Sequence, residues 1–256
     1  MSLKNLSVKN KIHKFLIKKL QNKRAKKIYN KFEKSLGIRE NFAVAVSGGP
    51  DSLALAFLAK IYSIKYKLSP KFFIVDHKLR SESTMEAKKI KKILDQLLIN
   101  SEILTWRGKK PLKNIQSKAR NKRYKLIFSE CDRYDIKNIL LGHHQDDVFE
   151  NFFIRILRGS GLKGLVSLDK KTKINNKYLL RPLLDQKKED LIFISKKIFN
   201  FYVQDPSNNN EKYLRIRMRK LIDYLQKDGL DKEKLNKTIS NLKNSNDLVN
   251  FYVFEN

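Results

Sequence analysis

Apolar residues in this chain alternate between two spacings. Short runs of strand length, rich in β-branched and aromatic residues, occupy about 42–47 (beginning Phe42-Ala43-Val44-Ala45-Val46), Lys71–Val75, Glu102–Trp106 and Asn138–Gly142. Between them lie longer stretches at helical spacing. One runs from Leu53 to about Lys65. A second runs from Ser81 to Asn100, with Met85, Ala87, Ile90, Ile93, Leu94 and Leu97 on one stripe and Ser83 and Glu86 spaced as a capping box. A third covers Ile115–Tyr134, and a fourth starts at Gln145 or Asp146 and reaches about Gly159. Strands alternating with helices at this spacing predict an α/β fold with a doubly wound, mostly parallel sheet.

The flanks have a different texture. Residues 1–39 predict one or two basic helices, with Ile12, Phe15, Leu16 and Leu20, then Ile28, Phe32 and Leu36, near helical spacing. Gly159 to Gly164 reads as a flexible loop, and Thr172–Leu184 as a hairpin turning at Asn175-Asn176. A helix follows over Lys187–Phe199, then a strong turn signal at Asp205-Pro206-Ser207-Asn208, then helix over 213–254. The expected organisation is a basic helical extension (1–39), a core domain (40–200) and a helical C-terminal segment (201–256).

Composition narrows the picture. The 256 residues carry a formal charge of +30, an excess beyond what solubility requires and one that attracts polyanions. Lysine outnumbers arginine, a pattern that genome base composition also produces. A mean hydropathy of -0.53 and the lack of a long apolar run predict no membrane span. The basic N-terminus lacks the apolar core of a signal peptide, so a cytoplasmic location is the default. Cys131 is the single cysteine, which leaves no disulfide or cysteine-ligated metal site within one chain. A homodimer is compatible with the sequence.

Candidate chemistry collects at the C-terminal ends of strands, where ligands bind in doubly wound sheets. Ser47-Gly48-Gly49-Pro50-Asp51-Ser52 joins a strand to a helix. Adjacent glycines, Pro50 in the first helical turn and the exposed amides of a helix start make an anion cradle suited to phosphate. Asp51 inside that cradle would repel phosphate unless a cation offsets it, which points to Mg²⁺-nucleotide chemistry. Asp76-His77-Lys78-Leu79-Arg80 follows the second strand, and Gly142-His143-His144-Gln145-Asp146-Asp147 the fourth. Histidines beside aspartates also suit a metal site or a solvated loop. Arg120, Arg123 and Tyr124, three to four residues apart on one helix, can face a common ligand or make surface ion pairs.

The loop is the SGGxDS type of the ATP pyrophosphatases. SGGPDS (47–52), VDHKLRSES (75–83), ARNKRY (119–124), LLGHHQDD (140–147), RGSGLKGL (158–165), RPLL (181–184) and DPSN (205–208) occur in the order found in tRNA(Ile)-lysidine synthetases, which the chain resembles over roughly residues 42–219. The resemblance implies adenylation by ATP of the wobble cytidine of an isoleucine tRNA with a CAU anticodon, then displacement of AMP by free lysine. It implies a pyrophosphate cradle at Ser47, Gly48, Gly49, Pro50 and Ser52, with Asp76 and His77 also toward the nucleotide and Mg²⁺ on Asp51. Arg80 would neutralise charge on phosphate oxygens. His144 and Asp147 would serve the lysine amine, and His143, Asp146, Glu150, Arg120, Arg123, Tyr124, Arg155 and Arg158 would contact tRNA or lysine. Two departures stand out. Val148 replaces a polar residue common in the family, and family members usually continue into C-terminal domains that grip tRNA. Two other readings use parts of this pattern: another ATP pyrophosphatase, such as a tRNA thiolation enzyme, and a non-catalytic RNA-binding protein. Thiolation enzymes typically use cysteine pairs, and Cys131 is alone.

Overall fold

The structure, a computed structural model, describes residues 3–108, 115–203 and 210–255. The expected Asp205–Asn208 turn lies outside them. The chain forms two compact units: Met1–His143 with Lys170–Val203, and His144–Asp169 with Gln204–Asn256.

The first unit begins with helices α1 (Leu3–Lys19) and α2 (Lys23–Leu36), as the basic N-terminal pattern predicts. In α2, Ala25, Ile28, Tyr29, Phe32 and Leu36 are buried while the lysines stay in water, so one face packs and the other is charged. Phe15, expected on the apolar stripe of α1, is instead 43% exposed, with the Lys19 ammonium over its ring; Leu16 carries the packing.

Next come β1 (Phe42–Val46), α3 (Pro50–Tyr66), β2 (Lys71–Asp76), α4 (Ser83–Gln96), β3 (Ser101–Thr105), α5 (Ile115–Arg133) and β4 (Asn138–Leu140). The unit resumes with the hairpin β5 (Lys171–Ile174) and β6 (Lys177–Leu180), turned at Asn175, and ends with α8 (Lys188–Phe199); α6 (Gln145–Ile156) and α7 (Leu162–Leu165) fall between β4 and β5. The sheet order is β3-β2-β1-β4-β6-β5, parallel throughout except for β5. The doubly wound expectation therefore holds.

Alternation along the strands sorts side chains onto two faces. Phe42, Val44 and Val46 join Phe72, Ile74 and residues of α2, α3, α4 and α8 in one core. Ala43, Phe73 and Ile139 join Ile127 and Cys131 of α5 in the other. The chain leaves β1 toward β2 and β3, then returns to place β4 on the opposite side of β1. That reversal leaves a crevice at the carboxyl ends of β1 and β4.

Two details of α4 correct the sequence reading. Met85 is 74% exposed and outside the stripe. The capping box does not form: Glu82 precedes the helix without a side-chain cap, and the Ser83 hydroxyl donates instead to Asp76 at 2.8 Å.

The second unit holds α6 (Gln145–Ile156), α7 (Leu162–Leu165), α9 (Leu214–Lys227) and α10 (Lys232–Glu255). Its core is Phe149, Phe152, Ile222, Leu235 and Ile239. The glycine-rich stretch expected as a loop is partly helical, since α7 occupies its second half. The last turns of α10 expose Leu248, Val249, Phe251, Tyr252 and Val253.

Candidate active site

The β1–α3 connection is built around one hydroxyl. Ser52, 6% exposed, accepts from the backbone N–H groups of Ser47 and Gly48, both at 3.1 Å, lies 3.1 Å from the Ser47 hydroxyl, and donates to the Gly49 carbonyl at 3.0 Å. Ser52 thus fixes the loop from inside rather than pointing out of it. Gly48 has φ +85°, and its carbonyl accepts from the Val203 N–H at 2.9 Å. Pro50 opens α3, and its carbonyl accepts from the Ser195 hydroxyl of α8 at 2.5 Å. Asp51 sits in the first turn, where a helix start presents amides without intrahelical partners.

Gly142, just past β4, closes the crevice from the other side. A Cβ there would stand 3.2 Å from the Ser52 nitrogen and 3.3 Å from the Asp51 carbonyl, so glycine lets the two strand ends approach. Gly142 belongs to the third strand-end cluster expected from the sequence, whereas Ser195 and Val203 were missed as contributors by sequence reasoning. His143, half-buried, ends the first unit.

After β2, the Asp76 carboxylate is 2% exposed and turned inward. Burial pushes its pKa up, but the Thr84 hydroxyl at 2.7 Å, the Lys78 N–H at 3.0 Å and the Ser83 hydroxyl at 2.8 Å more than reverse this and hold it below the usual carboxylate range. Its place in this structure is to anchor the β2–α4 turn. Arg80 pairs with Glu86 at 2.8 Å.

His77 Nε2 accepts from Arg123 Nε at 3.4 Å, which places the imidazole proton on Nδ1. Burial, with help from the Arg123 charge, lowers its pKa to about 4, so it is neutral at pH 7. Arg120 lies over the Tyr124 ring at 5.4 Å. The structure therefore brings His77, Arg120, Arg123 and Tyr124 into one connected group.

In the second unit, His144 and Asp147 form the N-terminal cap of α6. The His144 N–H donates to Asp147 Oδ2 at 2.9 Å, and His144 Nδ1 accepts from the Asp146 N–H at 3.2 Å. This is a capping box with histidine in the usual serine place. His144 is 3% exposed, with Nε2 3.7 Å from Asp147 Oδ2. Asp146 pairs with Lys232 at 3.2 Å. Arg155 is half-buried and Arg158 exposed near the end of α6.

Glu150, 1% exposed, accepts from Arg219 Nε at 2.8 Å and Nη2 at 2.7 Å through the same oxygen. Its other oxygen is buried without a hydrogen bond among the described residues. Burial raises the Glu150 pKa, and the Arg219 charge pulls it back only in part. Because the raised value lies in the folded state, this carboxyl favours folding most below its unfolded pKa, and that contribution is lost as pH rises through the folded value. Arg219→Ala is therefore expected to cost about 3 kcal/mol near pH 8 and progressively less as pH falls, because the buried Glu150 carboxyl left without its partner can be relieved by a proton; urea unfolding across a pH series measures the difference.

Among the described residues no group of three His, Cys, Asp or Glu could hold a metal by itself. Asp51, in the first turn after the glycine loop, is a carboxylate that could hold Mg²⁺, which takes one or two carboxylates and fills its shell with other oxygens and water.

A parallel sheet reversing between β1 and β4, with a glycine loop leading into a helix start at that reversal, defines a doubly wound nucleotide-loop domain. The chain belongs to the PP-loop domain family, matched over residues 18–225. It is 43% identical over 180 residues to a tRNA(Ile)-lysidine synthase of Orientia tsutsugamushi, covering 70% of this chain and 41% of that protein. It is 35% identical over 208 residues to one of Bradyrhizobium diazoefficiens, covering 80% and 58%. The chain thus spans about half the length of these curated relatives. Among solved structures, the U34-tRNA thiolase NcsA of Methanococcus maripaludis with its [4Fe-4S] cluster shares the fold, with a TM-score of 0.72, 18% identity and coverage of 86% of this chain and 78% of that one. No helix among the described residues is long and apolar enough to cross a membrane.

Proposed function

We propose that this chain uses ATP to join lysine to the C2 position of the wobble cytidine of a CAU-anticodon isoleucine tRNA, giving lysidine, AMP and pyrophosphate. The observation that carries this reading is the 43% and 35% identity of the chain to two lysidine synthases over 180 and 208 residues. The +30 charge fits an RNA substrate.

In the first step the C2 carbonyl oxygen of the cytidine attacks the α-phosphorus of ATP, and pyrophosphate leaves. The chain's part is to bind and orient. The first-turn amides of α3 face the phosphates, and the Ser52 hydroxyl keeps the loop in shape. Asp51 would hold Mg²⁺, which when bound offsets the charge of the leaving pyrophosphate. Arg80 adds a cation on the β2–α4 connection. In the second step the ε-amine of lysine attacks C2, the bond to AMP breaks, and the amine gives up a proton. His144 and Asp147 are the groups for that amine and its proton.

A thiolation reading is disfavoured by Cys131. It is the chain's single cysteine, fully buried, and burial pushes its thiol pKa up to about 12. A thiol in that state is neither a nucleophile nor a cluster ligand.

The test is to incubate the protein with radiolabelled lysine, ATP, Mg²⁺ and an unmodified CAU-anticodon isoleucine tRNA. Incorporation at the wobble cytidine with matching release of AMP is expected. No incorporation, with a tRNA that a known synthase accepts, overturns the proposal.

A further inference from the structure

One aromatic side chain at the ligand edge of the sheet has no part in the chemistry above. Trp106, the single tryptophan, stands just past the end of β3, the edge strand of the sheet. Its backbone N–H donates to the Asp76 backbone carbonyl at 2.9 Å, which extends the ladder by one residue. The indole is half-buried, and Arg107 and Gly108 beyond it are exposed.

The indole is held in orientation on two sides. The backbone at Gly108 lies against its pyrrole edge, where a Cβ would stand 2.7 Å from Nε1. The His77 ring meets it edge-on, with centroids 6.5 Å apart and planes at 88°. His77 in turn accepts from Arg123, and Arg120 lies one turn away on α5 over Tyr124. Between Ile115 and Lys125, α5 carries Lys118, Arg120, Lys122, Arg123 and Lys125 and no carboxylate.

A partly open ring that meets His77, which in turn accepts from Arg123 in the cationic stretch of α5, matches one kind of ligand. An adenine ring would use the aromatic surface, but its nucleotide carries its charge at the phosphate end. A base in single-stranded RNA is flanked on both sides by phosphates, and aromatic stacking beside a cationic track is how such strands are bound. We propose that Trp106 is the stacking platform for one base of the substrate RNA's single-stranded loop, with the α5 cations on the flanking phosphates. The inference rests on the lysidine reading for the identity of that RNA and for nothing else.

The single tryptophan makes the test direct. Intrinsic fluorescence is titrated with an unmodified CAU anticodon stem-loop, with a fully paired duplex of the same length, and with Mg²⁺-ATP. The expected result is quenching by the stem-loop only, since a duplex keeps its bases stacked inside. Trp106→Ala should bind the stem-loop about ten-fold or more weakly, with Trp106→Phe in between and the KM for ATP unchanged in both. Quenching by ATP instead of RNA overturns the proposal in favour of an adenine contact. Full RNA affinity in Trp106→Ala also overturns it, leaving Trp106 as an anchor of the edge strand. Lysine incorporation by the unaltered protein is measured alongside. Incorporation without quenching sinks this inference alone, and quenching without incorporation sinks the lysidine reading alone.

Discussion

Asp51→Ala is expected to reduce ATP-dependent lysine incorporation by two orders of magnitude or more, at nearly unchanged stability and RNA affinity. Asp51 lies in the first turn of α3, beside a loop whose amides favour anions. A carboxylate there gains about 0.3–1 kcal/mol from the helix dipole, a term small beside the effect expected on activity. The activity cost is of a different size. Losing one well-placed group that stabilises transition-state charge typically costs about a hundred- to a thousand-fold in rate. Asp51→Asn keeps the shape and removes the charge, so it should fail nearly as badly if the carboxylate holds a cation. Steady-state incorporation assays, with denaturant unfolding and RNA binding as controls, separate these effects. A variant with full activity would reduce Asp51 to a helix-end charge. Unchanged RNA affinity with no ATP turnover in the parent protein to lose would favour a non-catalytic RNA binder.

The parts of this site legible in the sequence are those whose cause is local. The strand, the two glycines, Pro50 and the helix after it lie within a dozen residues. Each has its own conformational reason, so the turn could be placed and its chemistry named. The three strand-end clusters followed from the alternation of strands and helices. What stayed hidden depends on contacts distant in sequence. Ser195 reaches Pro50 across 145 positions, and Arg219 reaches Glu150 across 69. No spacing rule announces either. Ser52 was legible as a polar loop residue but not as one turned inward, because that depends on which amides lack other partners.

Local rules also competed. Ser83 and Glu86 have capping-box spacing, but Asp76 was the stronger acceptor for the Ser83 hydroxyl, and Arg80 took Glu86. The capping box that does form, at His144 and Asp147, has the right spacing with an unusual first residue. Read for metal or catalysis alone, it concealed its structural use. The two uses are compatible, because a cap that fixes the His144 and Asp147 side chains would also pre-position them for the proposed substrate amine.

Gly48→Ala is expected to cost about 3 kcal/mol of stability and to suppress activity in the molecules that remain folded. Two separate penalties add. At φ +85° an L-residue with a Cβ loses about 1–2 kcal/mol relative to glycine. The new methyl would also stand 2.2 Å from Ile90 Cδ1, 2.8 Å from Ile90 Cγ1 and 3.1 Å from Val203 Cγ2, and overpacking a filled core costs about 1–3 kcal/mol. The two can be separated. Ile90→Val removes the nearest clashing atom and alone costs about 0.5–1.5 kcal/mol, since Ile90 is buried. Made on top of Gly48→Ala, the same change should cost less than alone, or even restore stability, giving a coupling of about 1 kcal/mol in a double-mutant cycle. The backbone penalty should survive in the double variant, and with it most of the activity loss, because the amides of Ser47 and Gly48 would still be turned from the Ser52 hydroxyl that shapes the loop. Denaturant unfolding of the four proteins yields the coupling, and incorporation assays on the same four follow the loop. A neutral Gly48→Ala would mean that the left-handed turn and the close packing on Ile90 do not govern this loop. Strict additivity with Ile90→Val would remove the packing term and leave the backbone conformation as the whole effect.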